Sequence, residues 1–300
     1  MNQRRIIFVP GKNPKPPADQ HQRLLWRTLV EGVRRAEPDV ASDFGQHAKD
    51  FTLAAWNYLY YHKSKDISRD LPWIEVLINQ HETSEQDIRE ASAWHRKLDR
   101  LLYNVIDYFP FLLQLLPGPL RSTAEEIKHY FHNRNNIACD VRERLKQELR
   151  PMLGSADKVL LIGHSMGSVI AYDTLWELSH LEQLPGKIDL FLTIGSPLGI
   201  NYVQRRLVGN QYVGKKKYPS TIRRWVNISS TGDVTALDRI FSDDFGEMID
   251  EGVIESIEDH CEGIYNSFRN EEGLNCHRSY GYLVNPAVGK VVADWWQQSG

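Results

Sequence analysis

Ser165 sits between two glycines in "GHSMG" (163–167), directly after the apolar run "KVLLI" and before "SVIAYDTLWEL". A serine hydroxyl is a poor nucleophile until a neighbouring base takes its proton as it attacks. Imidazole suits that task because it titrates near neutrality, and a carboxylate can hold its tautomer and stabilise the imidazolium that forms. The G-x-S-x-G spacing alone is weak, since residue frequencies place it by chance in about one chain in ten of this length. Its context is more telling. A strand that turns at once into a helix forces the central serine into strained backbone, and a Cβ at Gly163 or Gly167 would strike the neighbouring main chain. Such a turn lifts the Ser165 hydroxyl above the carboxyl edge of a sheet, with the Met166 N–H at a helix N-terminus where an oxyanion would form.

The rest of the chain has to supply that sheet. Short β-branched runs alternate with longer helix-like segments, the pattern of a parallel sheet with crossover helices. "RRIIFVPG" reads as a strand ending in a Pro-Gly loop, and "HQRLLWRTLVEGVRRA" as a helix with Leu24, Leu25, Thr28, Leu29 and Gly32 on one side. "FTLAAWNYLYYH" reads as a second strand and "DVRERLKQELRPML" as a helix stopped by Pro151. "KVLLIG", "IDLFLTIG" and "TIRRWVNIS" read as further strands, and "NPAVGKVVADWWQQ" as a closing helix. Residues 64–135 read as a helical insertion, in which Ala91, Trp94, Leu98, Leu101, Leu102, Val105, Ile106 and Phe109 recur at helical steps. Packing of that stripe on the sheet is the simpler reading; a cap with "FPFLLQLLPGPL" as an apolar wall is the functional one. The expected organisation is an α/β core over 1–63 and 136–300 with a helical insertion over 64–135.

With these elements in place, the chain resembles the α/β-hydrolase family, most closely its lipase-like and esterase-like members with a helical cap insertion. The resemblance runs from Arg4 to about Trp296 and implies a mostly parallel sheet flanked by helices. It also implies the chain order nucleophile, acid, histidine, each past the end of a strand. Carried onto this sequence, the nucleophile is Ser165 and the acid is Asp233 in "TGDVTALD", ahead of Asp238, Asp243 and Asp244. The base is His277 in "NCHRSYGYL", ahead of His260; His164 is expected to be a packed neighbour of the serine. The family's oxyanion donors would be the Met166 N–H and an N–H of the loop after the first strand, at Gly11 or Lys12. Many relatives have His-Gly in that loop where this chain has Pro-Gly. "TIGSPLGI" is similar to a loop of lipase-like relatives, and its place beyond the carboxyl end of a strand makes Ser196, Pro197 and Leu198 expected lining residues, with an ordinary turn as the simpler reading of Ser196. The implied activity is cleavage of carboxylic esters, lipid acyl esters or thioesters through an acyl-enzyme, with no cofactor. Capture of the acyl group by an alcohol, or a non-catalytic binding role on the same fold, are the alternatives.

Composition sets outer limits. The chain has 300 residues, 41% of them hydrophobic and 25% charged, which is ordinary globular usage. A net charge of −3 supplies no global field for nucleic acid. Three cysteines point to reduced thiols and a cytoplasmic setting, and the apolar run Ile6–Val9 is too short for a signal peptide. The apolar stretch 108–120 is too short to span a bilayer, although weak contact with a membrane surface stays open, as does the oligomeric state. His260-Cys261 and Cys276-His277 invite a zinc reading, but neighbours in a strand point to opposite faces, so no metal is expected.

Overall fold

The computed structural model describes residues 3–80, 82–93, 125, 128–133, 136–155 and 157–298. Among the described residues six strands form one parallel sheet: β1 (Arg4–Val9), β2 (Phe51–Leu53), β3 (Lys158–His164), β4 (Ile188–Ile194), β5 (Ile222–Ile228) and β6 (Ser256–His260). Their order across the sheet is β2-β1-β3-β4-β5-β6. Both faces are covered, which is why the central strands read as continuous apolar runs rather than as alternating ones. The register lines up Ile7, Leu161, Phe191, Trp225 and Ile257 in one row across five strands. The adjacent row is Phe8, Ile162, Leu192 and Val226. Since successive side chains alternate faces, the first row packs into one core and the second into the other.

Helix α1 (Ala18–Ala36) covers the second face together with α4 (Pro286–Gln297). The side of α1 expected from its spacing is the buried one, with Leu24, Leu25, Thr28, Leu29 and Gly32 all inaccessible. Helices α2 (Ile137–Leu153) and α3 (Met166–His180) cover the first face. Helix α3 is buried nearly all round, so its polar residues need partners. Asp173 accepts from the Tyr130 hydroxyl and the Val208 N–H, and Glu177 pairs with Arg142 and Lys146.

Two expectations are corrected. The second strand ends at Leu53, and Asn57–Tyr61 is helical. Leu, Tyr and Trp serve either state, and pairing with β1 ends one residue on, with the Ala54 N–H donating to the Phe8 carbonyl. Pro151 does not end its helix, which runs on to Leu153; in the last turn a proline forfeits a single intrahelical bond. Within 64–135, Leu71–Asn79, Glu85–Ala91 and residues 128–132 are helical. The remainder of the proposed stripe beyond Ala91, and "FPFLLQLLPGPL", lie outside the described residues. No helix among the described residues is long and apolar enough to cross a membrane.

The order of strands fixes where the chain can hold a ligand. From β1 the chain crosses to β2 by α1 on one face, whereas from β3 it crosses to β4 by α3 on the other. The loops leaving β1 and β3 therefore part company and open a crevice beyond the carboxyl ends of these strands. Backbone contact is close there. A Cβ built on Gly167 would lie 2.2 Å from the Val9 carbonyl oxygen and 2.6 Å from that of Pro10. Gly167→Ala is expected to cost about 3 kcal/mol or more of unfolding free energy, because rigid backbone must move. Urea unfolding of the variant against wild type measures it.

Candidate active site

Ser165 occupies the N-cap position of α3 with φ 55° and ψ −130°, the left-handed side of the map that a residue with a Cβ avoids. An ordinary N-cap serine has extended backbone and accepts a bond from the first helical turn. Ser165 makes no such capping bond. Its N–H donates to the Ile194 carbonyl and its own carbonyl accepts from the Ser168 N–H, so the turn is tied to β4 and to the helix at once. Gly163 permits this, since a Cβ there would lie 2.7 Å from the Cα of Ser168.

The Ser165 hydroxyl instead meets His277, with Oγ 2.8 Å from Nε2. The opposite ring nitrogen, Nδ1, lies 2.8 and 3.0 Å from the two Asp233 oxygens. A carboxylate accepts, so Nδ1 carries the proton and Nε2 presents its lone pair to the serine. Asp233 also accepts from the Tyr282 hydroxyl at 2.6 Å and from the Thr235 N–H at 2.9 Å. Its side chain is fully buried. Burial pushes the Asp233 carboxyl up, but the His277 charge and the bonds from His277, Tyr282 and Thr235 outweigh it. The pKa therefore ends below the ordinary carboxylate value. Gly195, with φ +54°, clears the space: a Cβ there would lie 2.8 Å from Asp233 Oδ2.

The loop after β1 passes directly under the serine. A Cβ on Gly11 would lie 2.8 Å from the Ser165 Cβ and 2.9 Å from His164 Nδ1. Two side chains orient this loop. Trp56 Nε1 donates to the Pro10 carbonyl at 2.7 Å, and Asn57 Nδ2 donates to the Gly11 carbonyl at 2.8 Å. In a trans peptide the N–H points opposite to the preceding carbonyl. The Gly11 and Lys12 N–H groups therefore point away from Trp56 and Asn57.

His164 is buried beside the turn. Its Nε2 donates to the His277 carbonyl at 2.8 Å, and burial, reinforced by the charges of His277 and Lys15, holds its pKa well below the usual imidazole range. Ser165, His164 and His277 line a cavity of about 540 Å³ together with Gly11, Lys12 and His21.

Ser196, Pro197 and Leu198 do not line this cavity. All three are buried, Ser196 Oγ bonds Ser168 Oγ at 2.6 Å, and Leu198 packs in the core below the turn. His260 is exposed on β6, and Asp238 bonds the Ile240 N–H locally. Among the described residues no cluster of three or more His, Cys, Asp or Glu could hold a metal.

Sequence reasoning missed Tyr282, Trp56 and Asn57. Tyr282 stands in the aromatic run after His277, and Trp56 and Asn57 lie in the segment misread as strand.

The lowered Asp233 pKa has a thermodynamic consequence. A carboxyl that holds its proton less tightly when folded adds stability above its unfolded pKa and loses it as pH falls through the folded one. Asp233→Asn is expected to be less stable than wild type at neutral pH, by on the order of 1 kcal/mol, with the gap closing in strong acid. Denaturant unfolding at pH 7 and near pH 3 reads it. No protein-family model, no curated protein and no solved structure matches the chain, so the site's chemistry rests on its own geometry.

Proposed function

We propose that this protein is a serine hydrolase of α/β-hydrolase type that cleaves carboxylic esters through an acyl-enzyme. The observation that carries the reading is the continuous hydrogen-bonded chain from Ser165 to His277 to Asp233, mounted on a strained turn at the mouth of a cavity. The order serine, aspartate, histidine along the sequence and the parallel sheet beneath them support it.

In this mechanism the Ser165 oxygen bonds to the ester carbonyl carbon while its proton passes to His277 Nε2. Asp233, held ionised by Tyr282 and Thr235, stabilises the imidazolium. Negative charge gathers on the former carbonyl oxygen. The Met166 N–H, at the first turn of α3 where N–H groups lack intrahelical acceptors, meets that charge. An N–H of the Gly11–Lys12 loop is the second donor, each such donor being worth about 3 kcal/mol in the transition state. The carbon–oxygen bond to the alcohol then breaks, and His277 returns the proton to the departing oxygen. Water, deprotonated by the same Nε2, attacks the acyl carbon; the bond to Ser165 Oγ breaks, His277 returns the proton to that oxygen, and the acid is released. Ester and water become carboxylic acid and alcohol, with the protein unchanged and no cofactor needed.

A fluorophosphonate probe is expected to label Ser165, and Ser165→Ala should abolish both labelling and ester cleavage. Asp233→Asn should lower kcat by about 10⁴-fold, because the imidazole loses the tautomer that leaves Nε2 free to accept. Labelling that persists in Ser165→Ala, or an Asp233→Asn enzyme of near-normal kcat, overturns the proposal. A chain-length series of activated esters, run with and without a competing alcohol, then ranks acyl groups and separates hydrolysis from transfer.

A further inference from the structure

The cavity beside Ser165 has a charge opposite to that of the chain. Lys12, Lys15, Lys63, Lys65 and Arg278 all line it, and no carboxylate is among its described lining residues. The chain as a whole carries −3. Chance alignment along one solvated helix does not account for the cluster, since the five cations come from three separate segments. These segments are fastened to one another. The Lys65 N–H donates to the Lys15 carbonyl at 2.8 Å, and Lys15 Nζ donates to the Lys12 carbonyl at 2.6 Å. Lys65 Nζ and Arg278 Nη2 both reach the buried Asp70, which joins the second segment to the third. A cleft lined by one sign of charge raises the local concentration of ligands of the opposite sign.

The floor of the cavity adds a second, independent observation. His21 is 2% exposed, lines the same space, and has a buried Nδ1 with no hydrogen-bond partner among the described residues. Burial, then the charges of Lys15 and Arg278, hold this imidazole in its neutral form.

We infer that the ester cleaved at Ser165 carries a phosphate group within a few bonds of the scissile carbonyl, and that Lys12, Lys15, Lys63, Lys65 and Arg278 receive it. A phosphate brings a charge of about −2 and three acceptor oxygens, which matches five spread cationic donors better than a carboxylate with two oxygens. The inference rests on the ester-hydrolase reading above and specifies its substrate class.

The test compares monobutyryl glycerol with monobutyryl glycerol 3-phosphate, which share acyl group and ester bond and differ in the phosphate alone. Wild type is expected to favour the phosphate ester by about 10-fold or more in kcat/KM, with the preference shrinking several-fold as added salt screens the cleft. Lys63→Gln, at an exposed position that tolerates substitution, should reduce the ratio by about 3-fold, and adding Arg278→Gln should bring it close to one. Equal rates for the two esters in wild type overturn the inference and leave the hydrolase reading standing. Calorimetric titration of glycerol 3-phosphate into Ser165→Ala reads the anion site without turnover. Salt-sensitive binding weakened by Lys63→Gln supports the phosphate site independently of turnover, and its absence overturns the inference; the hydrolase reading itself stands or falls separately, on the labelling of Ser165. A long-chain monoacyl glycerol phosphate, assayed in parallel, shows by its rate relative to the butyryl ester whether the phosphate belongs to a lipid or to a soluble ester.

Discussion

At the crossing of two backbones, the exit of β1 and the turn from β3 into α3 touch with no side chain between them. Gly11 and Gly167 make that contact, and everything in the site is measured from it. The strained φ of Ser165 survives because its surroundings overdetermine it, with β4 holding its N–H and α3 holding its carbonyl. If the strands at the switch point separated by the width of a methyl group, the serine would relax towards an ordinary N-cap and its oxygen would turn to the helix. The backbone geometry at Ser165 is thus tied to how closely β1 and β3 pack, and that packing comes from the apolar rows on both faces of the sheet.

Electrostatics then decides what the geometry can do. A fully buried carboxylate is expensive unless several donors meet it. Asp233 has the imidazole, a phenol and a backbone amide, and Tyr282 is itself held in place by donating to Asp233 while accepting from the Ser230 N–H. Ionised Asp233 can point the Nδ1 proton and leave the other nitrogen for the serine. On the far side of the serine the sign reverses. Cations collect around the cavity, and their field reaches the buried His21 and His164 as well.

Much of this was legible in the residues, for reasons that can be named. Parallel strands buried on both faces must be apolar throughout, so "RRIIFV", "KVLLIG", "IDLFLTI" and "IRRWVNI" stood out. The close approaches at Gly163 and Gly167 followed from the tightness of a strand–serine–helix turn. The expectation that residues 165, 233 and 277 converge comes from the chain order that the family resemblance implies; Ser165 and Asp233 follow strands of the sheet, whereas His277 lies beyond its last strand. Segment 51–62 was misread because Trp, Tyr and Leu suit either state, and the decision lay with a neighbouring loop. Trp56 and Asn57 became useful through contacts 46 residues away along the chain, beyond the reach of any local pattern. Ser196 to Leu198 leave a strand at the correct edge, yet a strand exit does not reveal which side of its loop faces inward. The cationic cavity was invisible for a related reason: its five members lie in three segments that only tertiary structure assembles.

The bond from His164 Nε2 to the His277 carbonyl has a mechanical meaning. The residue preceding Ser165 grips the main chain that carries His277, and the two imidazole rings lie 4.9 Å apart. Serine and histidine, 112 positions apart in the chain, are therefore carried on one small rigid unit. The bond is a second tie between the two, beside the one from Oγ to Nε2, so neither residue can shift without straining the other.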